Sequence, residues 1–152
     1  MTWFAWLHHT SIHVPLVMST VLGILGIWVN RRDDQTVWVI LRIAGWATTA
    51  TTLVAVVSGL ATATEFWTEV GPDVLIHHRN LGILGFVSML TAVGSIEYGL
   101  RTNSQRVRRF GALCWIAVAL SMVGAGHWGG SGVHSDRIPW DGQTPALRAG
   151  EK

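Results

Sequence analysis

The chain has 152 residues, a formal net charge of +2, 13% charged residues and 49% apolar residues. Soluble domains carry nearer a quarter charged residues, and the basic residues here form no stripe, so a soluble enzyme and a nucleic-acid binder are both excluded. The single cysteine, Cys114, excludes an internal disulfide, a thiolate-ligated cluster and a covalent CxxCH haem attachment.

Four apolar stretches follow in order: Ser11–Val29, Val37–Ala61, Leu75–Leu100 and Phe110–His127. Each is close to the roughly 20 residues that a helix needs to cross the hydrocarbon core. No basic segment precedes the first stretch and no small-residue cleavage site follows it, so it is expected to be a retained span. The prediction is an all-α membrane protein. A four-transmembrane-helix bundle takes up residues 1–134, and a tail without regular structure takes up residues 135–152. No internal repeat or low-complexity segment is visible.

The first span opens with His8-His9-Thr-Ser-Ile-His13-Val-Pro15. Proline is tolerated in the first turn of a helix, so regular helix is expected from near Val14, with His13 at its mouth. The second span is rich in small residues, from Ala47 to Ala61, which let helix backbones approach closely in lipid. The third begins His77-His78-Arg79-Asn80-Leu81-Gly82. Adjacent helical residues lie about 100° apart, so only one of His77 and His78 can point into a bundle. The fourth ends Gly126-His127-Trp128-Gly129-Gly130-Ser131-Gly132-Val133-His134. Its glycines predict a tight turn that folds His134 back over the bundle mouth.

Arg31, Arg32, Arg42, Arg101, Arg106, Arg108 and Arg109 all fall near the first and third connections. The positive-inside rule puts those connections in the cytoplasm and both termini on the outer, periplasmic face of a bacterial inner membrane. Asp33 and Asp34 count for little in that rule. Trp3, Trp6, Trp67, Trp128 and Trp140 are expected at the outer interface, and Trp28 and Trp38 at the inner one. Arg42 and Glu97 lie about one turn inside the inner end, where they can pair or snorkel.

The alternation of spans places all seven histidines (His8, His9, His13, His77, His78, His127 and His134) at the outer end. Imidazoles gathered at one leaflet point to a metal or haem site. The set holds almost no carboxylate, since Glu65, Glu69 and Asp73 lie in a connecting segment without HExxH or ExxH spacing. Haem b needs only axial histidines from facing helices, plus small-residue gaps for its plane. One haem b is expected, two at most, with copper or iron as the alternative. His13, His78 and His127 lead as metal ligands, His8 or His134 would serve as well if a second haem binds, and Arg79 is expected to steady a propionate.

The order His8-x4-His13-x-Pro15, then His78-Arg79-x-Leu81-Gly82, then His127-x-Gly129-Gly130-x3-His134 resembles a bacterial four-span membrane domain of largely uncharacterised function. That domain also occurs fused to planctomycete-type cytochrome c domains. The resemblance covers nearly the whole chain and implies that His8, His13, His78, His127 and His134 are the family positions. His9 stands where the family has proline, Val14 where it has phenylalanine, and Ser135 where it has glycine.

The function expected is a membrane b-type cytochrome subunit. It would pass electrons between an extracytoplasmic partner, such as a c-type cytochrome, and the quinone pool, within a larger membrane complex. Such a subunit need not be an enzyme on its own. An anchor that docks an extracytoplasmic oxidoreductase, and a histidine-ligated copper or iron oxidase, are the alternatives.

Overall fold

The computed structural model describes residues 3–70 and 72–134, and the side chains of 3–63 and 74–130. The tail 135–152 and the side chains of Glu65, Trp67, Glu69, Asp73 and His134 lie outside the described residues. Five helices and no strand occur among the described residues: α1 (Trp3–Ser11), α2 (His13–Arg31), α3 (Gln35–Val70), α4 (Pro72–Arg101) and α5 (Gln105–His134). Helices α1 and α2 together make the first span. All four spans, Trp3–Arg31, Gln35–Ala63, Val74–Arg101 and Gln105–Gly130, are long and apolar enough to cross a membrane. This is a multi-pass membrane protein built as a four-helix bundle.

Two local expectations are corrected. Helix begins at Trp3 rather than near Val14, and it is interrupted only at Ile12. Pro15 removes one donor, yet the Ile12 N–H still bonds the His8 carbonyl at 3.1 Å and the Leu16 N–H bonds the Ile12 carbonyl at 3.3 Å. At the other end, the glycines after Gly126 do not turn the chain, and α5 continues to His134. A glycine inside a helix costs only about 1 kcal/mol, less than an unsatisfied backbone group in an apolar medium.

The bundle's chemistry is reversed relative to a soluble fold. Ser19, Thr48, Thr49, Thr52, Ser58 and Thr62 are buried, while Val17, Ile24, Ile43, Val57 and Leu120 are exposed. The buried hydroxyls are satisfied by carbonyls one turn back, as in Thr48 to Ala44 at 2.7 Å and Thr52 to Thr48 at 2.7 Å. So broad a band of exposed aliphatic residues is stable only against lipid.

Spans one to four pack in a closed ring, each against the next and the fourth against the first through α2 and α5. The ring carries an internal repeat that composition and motif reading do not reveal. Helices α2 and α4 end at Arg31 and Arg101, and α3 and α5 begin at Gln35 and Gln105. Every one of these boundaries recurs after 70 residues (31 to 101, 35 to 105). The buried positions 15, 19, 22, 23, 26 and 29 recur at 85, 89, 92, 93, 96 and 99. The first two spans and the last two are therefore one unit used twice, related by a pseudo-two-fold axis along the bundle.

Unlike residues meet at equivalent positions near that axis. The fully buried Trp115 indole lies where a Cβ on its counterpart Gly45 would approach it to 3.0 Å. Trp38, 1% exposed and so core rather than interfacial belt, lies under the guanidinium of its counterpart Arg108, 5.3 Å from the ring centre. Trp3, Trp6 and Trp28 are exposed, as a headgroup belt requires. The two seams between the halves also differ. Gly26 lets α2 rest on the Ala112 carbonyl of α5. On the opposite seam, Arg42 and Glu97 form a two-pronged ion pair at 2.6 and 2.9 Å, joined by Arg101 at 3.1 Å.

At the end of the bundle away from the histidines, Asp34 caps α3 by accepting from the Thr36 N–H at 2.8 Å. Asn103, with φ 54°, ends α4 in the left-handed conformation, and the Ser104 N–H returns to the Gly99 carbonyl at 2.9 Å. Asp33 ties the rim together by accepting from Trp38 Nε1–H at 2.7 Å and from Gln105 at 2.9 Å. The Trp38 bond, aided by nearby Arg108, holds the Asp33 carboxyl below its usual range. A depressed carboxyl stabilises the fold above its unfolded pKa, and that contribution is lost as pH falls through the folded pKa. Thermal stability should therefore decline in acid, and Asp33→Asn should flatten part of that decline. An acid limb identical in the variant would contradict the tether.

Candidate functional site

The histidine-bearing ends of α1, α2, α4 and α5, together with the facing end of α3, surround a cavity of about 540 Å³. It falls within the usual range of sites for drug-sized ligands and cofactors, roughly 300–1,000 Å³. Its walls are mainly apolar. His8, His9, His13, His78 and Arg79 supply most of its polar groups.

His8 and His78 both line this cavity and meet edge to face. Their ring centres are 6.0 Å apart and their planes are perpendicular. Each ring is fixed in the same way. His8 Nδ1–H donates to the Ala55 carbonyl at 2.8 Å, and His78 Nδ1–H donates to the Ala125 carbonyl at 2.8 Å, both 47 residues further on. A carbonyl can only accept, so the proton is on Nδ1 and the lone pair of the neutral ring is on Nε2.

One turn beyond each acceptor carbonyl stands a glycine. A Cβ on Gly59 would lie 2.7 Å from His8 Cε1, and one on Gly129 would lie 2.8 Å from His78 Nδ1. These glycines admit each ring to the groove of its neighbouring helix. Imidazole, carbonyl and glycine thus recur together after 70 residues, as His8, Ala55, Gly59 and His78, Ala125, Gly129.

The other singled-out residues occupy different places. His13 lines the cavity but is exposed. His127 is exposed, and its ring meets Trp128 edge-on with centres 6.1 Å apart. His77 turns outward and stacks on Trp128 at 4.8 Å, so His78 is the inward member of its pair. Arg79 is exposed at the cavity rim, where its guanidinium donates to Asn80 Oδ1 at 3.3 Å. His9 is its equivalent on the other side of the axis and also lines the cavity. The backbone of His134 closes α5.

No group of three or more His, Cys, Asp or Glu residues able to hold a metal ion occurs among the described residues. His13, His78 and His127 are thus not gathered into one ligand set: His127 is exposed beside Trp128, and His13, although it lines the cavity, is exposed. Sequence reasoning missed that His8 pairs with His78, and that Ala55 and Ala125 set the ring tautomers. The repeat of a histidine, then an alanine 47 residues on, then a glycine 4 further, was the signal that could have found them.

No family model matches the chain, and neither a curated protein nor a solved structure matches it.

Proposed function

We propose that this protein is a membrane b-type cytochrome subunit that holds one haem b between His8 and His78. The pair of neighbouring imidazoles, each with Nδ1 tied to a carbonyl, carries the proposal. Two nitrogens each about 2 Å from a shared metal leave ring centres roughly 6 Å apart, as they are here. A backbone partner on the second ring nitrogen fixes orientation and raises ligand basicity, as is usual for ligating histidine. Porphyrin iron needs just two protein ligands, which suits a site where no third ligand joins the pair among the described residues. That observation also favours haem over a copper or iron oxidase, which needs a larger ligand set.

Bound there, haem b would supply a one-electron ferric–ferrous couple. The chain's own groups would set its conditions. Gly59 and Gly129 seat the rings, the apolar wall limits water, and Arg79 can turn its guanidinium to a propionate at the rim. With no acid or base among the described cavity residues besides imidazoles and Arg79, the site suits electron transfer better than bond-making chemistry.

The arginine-rich connections support an inner-membrane orientation with both termini and the haem toward the periplasm. There the site would exchange electrons with a c-type cytochrome and, through the membrane, with quinone. In lipid vesicles, a short-chain quinol should reduce the haem and an added ferric c-type cytochrome should reoxidise it. A haem that neither reagent changes would end the electron-transfer reading and leave that of an anchor. A periplasm-only reporter enzyme fused after Lys152 should be active, and an inactive one would reverse the orientation.

A further inference from the structure

The two halves present the same ligand on mechanically different supports. His78 lies within α4, an unbroken helix of 30 residues. His8 lies on α1, a helix of 9 residues that is interrupted at Ile12 before α2 begins. The cause is local. Pro15 has no N–H, so the Ser11 carbonyl loses its helical donor, whereas Gly85, the equivalent of Pro15, keeps one. The break itself borders the cavity, since Ile12, His13 and Pro15 all line it. The backbone of α1 packs mainly on α3, and Ala5 is its one buried residue. Trp3, Phe4 and Trp6 stand exposed, with Trp3 and Trp6 stacked on each other at 5.2 Å.

We infer that His8 is the displaceable ligand of the pair, and that α1 is a proline-hinged gate that admits a small neutral π-acceptor molecule to the metal. The inference rests on the haem proposal above. In the exchange, the Nε2 lone pair of His8 gives up its place to the lone pair of the incoming molecule. No electron is transferred and no bond within the ligand breaks. His78 stays on the opposite side, held by α4 and the Ala125 carbonyl. The site would then work in two states. With α1 closed both imidazoles would hold the haem for electron transfer, and with α1 open the site would admit a dissolved gas.

The test uses the full chain loaded with haem b and reduced, with carbon monoxide as the probe. Uptake should reach a limiting rate at high carbon monoxide, set by opening of α1. Pro15→Ala, which restores a donor for the Ser11 carbonyl, should lower that limit roughly fivefold, since one net hydrogen bond contributes about 1 kcal/mol and about 1.4 kcal/mol is a tenfold effect. On carbon monoxide binding, backbone hydrogen exchange should accelerate over residues 3–11 and stay unchanged over 74–81. Three outcomes overturn the inference while leaving the haem in place: no uptake, exchange that accelerates over 74–81 instead, or a limiting rate that Pro15→Ala does not change. A purified chain that binds no haem overturns both proposals together.

Discussion

His8→Ala and His78→Ala should each abolish the low-spin haem spectrum, leaving either an empty protein or a high-spin haem. Removing an outer partner of a metal ligand already lowers affinity roughly 10–100-fold, and removing the ligand itself should exceed that. Both variants should fail in the same way, because the two rings have equivalent partners in Ala55 and Ala125. His127→Ala and His13→Ala should keep the low-spin spectrum, since both residues are exposed and the proposed ligands are His8 and His78. Haem titration followed by absorption would check all four. A low-spin spectrum at full occupancy in His8→Ala would remove the pairing, whatever the other variants do.

Gly26→Val should destabilise the bundle by about 3 kcal/mol or more, the upper end for overpacking a well-packed contact. A Cβ at Gly26 runs into the Ala112 carbonyl, a backbone atom that no rotamer change can move aside. Ala112 and Trp115, which line this seam, belong to the central hydrophobic core. The helices would have to separate along the tight seam, and the Arg42–Glu97 seam opposite would not compensate. Gly82→Ala is the control, because nothing lies within 4 Å of a Cβ there. Thermal unfolding in detergent would compare them. A Gly26→Val variant as stable as Gly82→Ala would mean that this seam does not hold the halves together.

The four spans were legible because length and apolar content decide them without any tertiary information. Which of His77 and His78 faces inward was partly legible too, since helix geometry allows only one. The partner of His78 was not. Pro15 suggested a helix start near Val14, which left His8 in a flanking segment. In fact the backbone bonds on either side of Pro15 survive and carry His8 into the bundle mouth. The glycines after Gly126 resemble helix breakers in the sequence, yet Gly129 is where α5 receives the His78 ring. A glycine that ends a helix and one that admits a neighbour look alike in one sequence. The internal repeat escaped notice for a related reason. It conserves burial and helix boundaries, while most residue identities differ between the halves, as Trp38 and Arg108 or Gly45 and Trp115 do.

The most direct measurement of the central claim is the haem content and reduced-minus-oxidised absorption spectrum of the purified full chain. The expected result is one haem b per chain, low-spin in both oxidation states, with a sharp α-band on reduction. A chain that binds no haem, or one whose haem stays high-spin in both states, would contradict a haem held between His8 and His78.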